Sequence, residues 1–436
     1  MSNKNKNQSQ ILEKLGITAL NEMQEEAKLA IHSGPEVVVL SPTGTGKTLA
    51  FLLPIIAELD EESTEVQALI ITPSRELTIQ IEQVTREMGA GFKVNAVYGG
   101  RHFSKDKMEL KHLPAILIGT PGRVADHLRR STFSAEFVKT LVLDEFDKSL
   151  EVGFEDEMTQ IIEALPNIEK KILTSATKAV DIPYFVGLQK PIYVNHLDSG
   201  VPKLEIKSVI SPEKDKLDIL LKLLCNLGNQ PGIIFCNYKA SIQRVSDYLS
   251  HKGVSHGCFY GGMEQKDRER ALIKFRNGTH QVIIATDLAA RGIDVPEIKF
   301  IIHYHLPIRI EEFTHRNGRT ARMHNNGTAY VLKWRYEDLP EFMPVLQEEP
   351  LKDATIMKPS KWTTLFISGG RKDKISKGDI AGLFFRQGQL QKDDLGIIEL
   401  KTDCAFVAVK TAKVNSLLAI VDNTRLKKKK VRIREI

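Results

Sequence analysis

The sequence predicts an α/β protein with two doubly wound parallel sheets in tandem, followed by a small α+β domain. Three observations lead there. Short runs that are apolar throughout alternate with helical stretches, as expected of strands covered on both faces. That alternation breaks once, around His196-Leu-Asp-Ser-Gly-Val-Pro202, and then starts again. The last 76 residues are too few for a third sheet of the same kind and read β-α-β-β-α-β, the split-βαβ order.

The elements justify this in turn. The polar start, Met1 to Gln10, lacks the apolar core of a signal peptide. Residues 11–31 read as helical, with Ile11, Leu12, Leu15, Leu20, Met23, Ala27 and Ile31 on one face. Strands are expected at 37–40, 68–72, 94–98, 115–119, 140–143 and 171–174, then at 205–210, 232–236, 257–260, 281–286, 300–304 and 328–332. A stretch rich in proline and acid from Leu346 to Lys361 reads as a linker. The tail reads as strand 363–368, helix 378–385, strands 396–401 and 404–410, helix 413–421 and strand 430–436. Three domains follow: 1–198, 204–345 and 361–436.

With 436 residues there is room for two to four domains. No run of eighteen apolar residues occurs, so no membrane segment is expected. The four cysteines show no Cys-x-x-Cys spacing, which suits reduced thiols and a cytoplasmic protein. Charge is uneven. From Lys361 onward there are 17 Lys/Arg against 8 Asp/Glu, hence +9, so the first 360 residues carry about −3 of the total +6. Positive charge gathered at one end points to a polyanion, most often nucleic acid.

Chemistry is densest at Ser41-Pro-Thr43-Gly44-Thr45-Gly46-Lys47-Thr48, between an apolar strand and a helix. The glycines let backbone N–H groups converge on one anion, Lys47 supplies charge for the β- and γ-phosphates, and the Thr48 hydroxyl suits Mg²⁺. The usual pattern starts with Gly; here that position is Ser41. A second strand, Leu141-Val-Leu143, runs into Asp144-Glu145-Phe146-Asp147. Carboxylates at such a strand end lie beside a phosphate loop, with Asp144 as Mg²⁺ partner and Glu145 as general base for the attacking water. ATP and Mg²⁺ are the expected cofactors.

With further motifs in register over residues 11–340, the chain resembles the DEAD-box RNA helicases of superfamily 2. Gln24 resembles the family's adenine-reading glutamine. Pro73-Ser-Arg75-Glu-Leu77, Gly99-Gly100 and Thr120-Pro-Gly122-Arg123 look like RNA-contacting loops of the first domain. Ser175-Ala-Thr177 looks like the motif that, with Asp147, couples the acidic site to domain movement. Phe235-Cys-Asn237, Gln265-Lys-Asp-Arg268, Ala285-Thr286-Asp287, Arg291-Gly-Ile-Asp294 and His315-Arg-Asn-Gly-Arg319-Thr-Ala-Arg322 follow in the second. The resemblance implies two RecA-like domains, RNA contacts at Asn237, Gln265, Arg268 and Thr286, a ribose contact at Asp294, coupling through His315, and paired arginine fingers at Arg319 and Arg322. Such an arginine is worth about 10³–10⁵ in rate. A small-molecule kinase does not fit a second α/β domain with these arginines.

The sequence departs from the family pattern in three places. Phe146 stands where the family has alanine, and its ring must be accommodated by repacking. No aromatic residue precedes Phe51, so adenine loses a stacking partner. Asn317 and Ala321 vary the last motif.

The tail resembles the RNA-binding domain of the DbpA subgroup, which is RRM-like, through Phe366-Ile-Ser-Gly-Gly-Arg371-Lys372-Asp-Lys374, Gly378-Asp-Ile380, Phe406-Val-Ala-Val409 and Val431-Arg-Ile-Arg434. Phe366 and Phe406 either stack bases or pack under a loop, while Cys404 fills another usual aromatic position. Basic contacts are expected at Arg371, Lys372, Lys374, Lys428 and Lys429. The resemblance implies a large-subunit ribosomal RNA hairpin as partner, ribosome assembly as setting, and a monomer. The reading is an ATP-dependent RNA helicase that opens short duplexes by domain closure. The alternative is an ATP-gated RNA clamp blunted by Phe146.

Overall fold

The computed structural model describes residues 7–151, 153–177, 182–197, 204–287, 298–320, 327–343, 345–353 and 359–436. Asp294 and Arg322 lie outside the described residues, as does most of the expected joint. Two compact units divide the chain near residue 201, one holding the first sheet and the other the second and third.

In the first unit, seven strands pair in parallel: β1 (Glu36–Leu40), β2 (Ala68–Ile71), β3 (Val94–Val97), β4 (Ile116–Gly119), β5 (Thr140–Leu143), β6 (Lys170–Ser175) and β7 (Ile192–Asn195), in the order β3-β4-β2-β5-β6-β1-β7. The central five strands are buried over nearly their whole length because helices cover both faces. Their side chains divide alternately between two cores, Val37, Val39, Ile70 and Val142 on one side, Val38, Leu69, Leu141 and Leu143 on the other. The expected helix over 11–31 is two helices, Gln8–Leu15 and Glu22–Ser33. Gly16, at φ 69°, ends the first, and a reciprocal Asn21–Gln24 capping box starts the second.

The second sheet repeats the plan with β8 (Leu204–Ser211), β9 (Gly232–Phe235), β10 (His256–Phe259), β11 (Val282–Ala285), β12 (Phe300–His303), β13 (Gly327–Trp334) and β14 (Gln347–Glu348), ordered β10-β11-β9-β12-β13-β8-β14. The stretch expected to be only a linker therefore contributes an edge strand, paired with β8.

The third sheet is antiparallel: β15 (Trp362–Ile367), β16 (Leu395–Leu400), β17 (Ala405–Lys410) and, beyond a short hairpin of β18 (Arg425–Leu426) and β19 (Lys429–Lys430), β20 (Ile433–Glu435). The basic run read as part of the last strand turns back on itself at Lys427 (φ 56°), so β20 starts three residues later than expected. Helices Lys377–Arg386 and Val414–Val421 cover one face, through Ile380, Phe384, Leu417 and Val421. The other face meets the end of helix Gln265–Arg276. There Arg276 forms a two-point ion pair with Glu399 (2.6 and 2.9 Å), Lys401 reaches Glu269 (2.7 Å), and Asn277 and Thr279 hydrogen-bond the Thr364 hydroxyl (3.2 and 2.7 Å).

One buried histidine, His303, and two half-buried ones, His280 and His305, contribute to the acid response of this second unit. Burial, with Arg316 beside it, pushes His303 down to about 3; burial pushes His305 and His280 down to about 4, helped by Lys216 and Lys274 respectively. The unfolded chain takes up protons below about 6.5 that the folded unit refuses, so stability is full above that pH and falls as pH drops toward 4. The urea midpoint should therefore fall between pH 7 and 5, while the His303 ring resonances keep their neutral position in NMR.

Candidate nucleotide and RNA sites

In the first unit β6 lies between β1 and β5, so the phosphate loop and the acidic strand end face each other across one strand. Gly44 and Gly46 both have φ 86°, and helix Lys47–Glu58 starts directly after them. A Cβ on Gly46 would stand 2.3 Å from Gln24 Nε2. Inside the loop, Ser41 Oγ donates to Thr45 Oγ1 (2.7 Å), which donates to the Pro42 carbonyl (2.9 Å). Ser41, in place of the usual glycine, thus braces the loop from within.

Gln24 is buried against this loop. Its Nε2 donates to the Gly46 carbonyl (3.2 Å) and its Oε1 accepts from Asn21 N (3.0 Å), while Asn21 Nδ2 donates to the Thr45 carbonyl (3.0 Å). A carboxamide has two donors and two lone pairs, so one of each is left, the set adenine's N7 and amino group require.

Lys47 is 8% exposed and donates to the carbonyls of Ser41 and Pro42. Burial lowers it to about 8, against the opposing pull of Glu145 and Asp144. Burial, reinforced by Glu145, raises Asp144 to about 6; its Oδ1 accepts from Thr174 Oγ1. Thr174 Oγ1 in turn accepts from Glu145 N (3.1 Å), which holds Glu145 at φ 50°. Lys148, 1% exposed, pairs with Glu145 Oε2 at 3.1 Å. Asp147 Oδ2 accepts from Thr177 Oγ1 (3.0 Å), and Thr177 N donates to Ser175 Oγ (3.0 Å). Asp147, Ser175 and Thr177, the residues expected to couple, therefore touch. Phe146 points away from them into the core formed with Leu143, Met158 and Ile161, which is how its bulk is accommodated.

Along the same carboxyl edge, the Arg75 guanidinium packs on Gly99 and Gly100; a Cβ on Gly100 (φ 81°) would be 2.4 Å from Arg75 Nη1. Thr120 caps helix Pro121–Arg129, in whose first turn Gly122 and Arg123 stand, and Arg123 Nε donates to the Tyr98 carbonyl (3.1 Å).

The second unit is organised by a residue to which the motif reading assigned no role. Arg316, 1% exposed, forms a two-point pair with Asp287 (2.6 Å each), donates to Asn237 Oδ1 and the His305 carbonyl (2.8 Å each), and lies over Phe235. Asn237, expected to face RNA, spends its amide on Arg316 and the Leu306 carbonyl. The variant Asn317 bonds His303 Nε2 (3.0 Å). Arg319 is buried just beyond helix Ile310–Asn317, and His315 is half-buried on it. Thr286 follows β11, and Gln265 and Arg268 open helix Gln265–Arg276, Arg268 over the Phe259 ring.

In the third sheet Phe366 and Phe406 meet edge to face at 5.6 Å, on the face that residues 276–279 adjoin. Phe406 is 5% exposed, and Phe366 is half-buried with Arg434 over its ring. Arg371, Lys372, Lys374 and Lys428 are exposed elsewhere, and Lys429 pairs with Asp373 (2.8 Å).

A phosphate loop facing a carboxylate cluster, on one of two successive parallel sheets, defines a nucleoside triphosphatase of the two-sheet helicase class. Comparison with known proteins narrows this. The DEAD/DEAH box helicase model matches residues 21–182, the helicase conserved C-terminal domain 215–324, and the DbpA RNA binding domain 364–435. The ATP-dependent RNA helicase DbpA of Bacillus subtilis is 31% identical over 97% of this chain and 96% of its own length. That of Escherichia coli is 32% identical with the same coverage. Saccharomyces cerevisiae Dbp5 bound to RNA and ADP BeF3 superimposes with a TM-score of 0.66 at 27% identity, over 74% of this chain and 87% of Dbp5. The chain belongs to the DEAD-box ATP-dependent RNA helicases, with a DbpA-type RNA-binding domain at its end. No described helix is long and apolar enough to cross a membrane.

Because Lys47 must be charged to attract phosphate, nucleotide affinity should fall by up to about tenfold per pH unit above pH 8. Titrating a fluorescent nucleotide between pH 7 and 9.5 checks this; a flat profile would contradict it.

Proposed function

We propose that the enzyme opens short RNA duplexes locally, by ATP-driven closure of its two RecA-like domains, on structured large-subunit ribosomal RNA during ribosome assembly. In this reading the domains are 1–198, 204–345 and 361–436, and the protein is a cytoplasmic monomer. The observation that carries it is the set of hydrogen bonds beside the phosphate loop that joins Asp144 through Thr174 to Glu145, and neighbouring Asp147 to Thr177. In this reading chemistry at the γ-phosphate and a change in backbone position are linked through these hydrogen bonds.

Gln24 reads adenine. Thr43 to Thr48 cradle the phosphates, Lys47 neutralises them, and Asp294 holds the ribose. Thr48 and Asp144 would hold Mg²⁺. A hydroxyl and a carboxylate are the hard oxygen donors this ion takes, and a cation there would offset the burial and the Glu145 repulsion that together raise Asp144. When bound, the ion would neutralise charge developing on the phosphoryl oxygens. Glu145 accepts a proton from the attacking water, and Arg319 and Arg322 complete the charge stabilisation on closure. Arg75, Gly99, Gly100, Thr120, Gly122 and Arg123 hold RNA in the first domain; Gln265, Arg268 and Thr286 do so in the second, with Asn237 acting through Arg316. His315 stands one residue before Arg316 and serves coupling.

The clamp alternative drew on Phe146; the packing of that ring in the core with Leu143, Met158 and Ile161 supports the helicase reading, and duplex separation compared with ATP turnover on the same RNA distinguishes the two. Target choice falls to exposed Arg371, Lys372, Lys374 and Lys428, with Lys429 fixed by Asp373 beside them.

Two experiments check this. Glu145→Gln should lower RNA-stimulated phosphate release at least about a hundredfold while nucleotide still binds; equal rates for variant and wild type would refute the assignment. Deleting residues 361–436 should abolish preference for a ribosomal hairpin over an unrelated hairpin in a binding competition, with RNA-stimulated ATPase kept at higher RNA concentration. An unchanged preference would move target choice elsewhere in the chain.

A further inference from the structure

Outside the phosphate site, Asp106 is the one fully buried carboxylate among the described residues of the first unit. It sits on the short helix Phe103–Glu109, between the Gly99-Gly100 loop and helix Pro121–Arg129. Its side chain has no exposed surface, and three basic side chains converge on it. Arg101 Nε stands 2.8 Å from Oδ1, Arg123 Nε 3.4 Å from Oδ2, and His127 Nε2 3.5 Å from Oδ2. Each arginine thus takes a different oxygen of one carboxylate.

The same helix turn grips Arg123 from a second side. Phe103, three residues before Asp106, lies under the Arg123 guanidinium (5.7 Å) and stacks on the His127 ring (4.6 Å), with Arg130 over it at 4.4 Å. Arg123 also donates to the carbonyls of Tyr98 and Arg101, and Arg101 pairs with Glu109. Two loops that follow different strands are therefore locked together through one buried charge.

A buried carboxylate is expensive unless it is paired, and apolar packing could hold two loops as well. What apolar packing cannot do is fix guanidinium groups in one orientation. A held guanidinium loses little conformational freedom when it meets a phosphate, which strengthens each contact.

We infer that Asp106 is a positioning residue for RNA: it presents Arg101, an additional phosphate contact, together with Arg123 as a preset pair on the carboxyl edge of the first sheet. This rests on the reading of the Thr120–Arg123 loop as RNA-binding.

The test uses the full-length protein, a short unpaired oligouridylate and a non-hydrolysable ATP analogue, read by fluorescence anisotropy, with ATP turnover measured on the same RNA. Asp106→Asn keeps the shape and removes the charge. RNA affinity should fall about tenfold, with turnover at saturating RNA within twofold of wild type and nucleotide affinity without RNA unchanged. Combined with Arg123→Gln, it should add less than twofold to the loss from Arg123→Gln alone, because both act through one contact. Arg101→Gln, partly exposed, should weaken RNA binding by itself and carries the test should Asp106→Asn fail to fold. An Arg123→Gln effect with none from Asp106→Asn or Arg101→Gln overturns the inference and leaves the RNA reading of the loop standing. No effect from Arg123→Gln overturns both. Fully additive losses, or equal losses in nucleotide affinity, reduce Asp106 to a stabilising ion cluster and also overturn it.

Discussion

Everything in the first unit depends on charge confined with little water at the end of β5. Lys47 and Lys148 share that space with Asp144, Glu145 and Asp147, each less than a tenth exposed. Isolated there, any one of them would face a desolvation penalty of several kcal/mol. Together they are tolerable, because each has opposite charge or a hydroxyl within reach, and their balance is off by one negative charge. The site is thus tuned to a narrow range of protonation, with Lys47 brought down to about 8 and Asp144 up to about 6. Thr174 and Thr177 tie this cluster to the end of β6, through Asp144 and Asp147 respectively.

The second unit meets a comparable constraint with one buried guanidinium. Arg316 gathers the ends of β9, β11 and β12 by bonding Asn237, Asp287 and the His305 carbonyl. Arg319 follows on the same segment, so its placement inherits whatever fixes Arg316. The departure at Asn317 is used locally: its amide oxygen meets His303, whose ring is wedged between Phe235 and Phe313.

Much of this was legible because it is local. The phosphate loop and the acidic strand end are consecutive residues, and strands covered on both sides announce themselves as apolar runs. Edge strands did not: β7 offers three apolar residues, Ile192 to Val194, between polar neighbours and is mostly exposed, and β14 is just Gln347 and Glu348. Gly16 and the Asn21–Gln24 box could have divided the first helical stretch, since both are recognised chain-end signals. The turn at Lys427 could not be read, because a lysine run has no preference for the left-handed conformation that folds it back. Arg316, Asp287 and Asp106 were equally opaque, since what they do follows from strands distant in sequence being neighbours in the sheet.

The contact between the third sheet and helix Gln265–Arg276 has a mechanical corollary. Ion pairs and threonine hydroxyls bridge the two. Such directional contacts fix register as well as distance, so the terminal sheet is keyed to the end of the helix that Gln265 and Arg268 open.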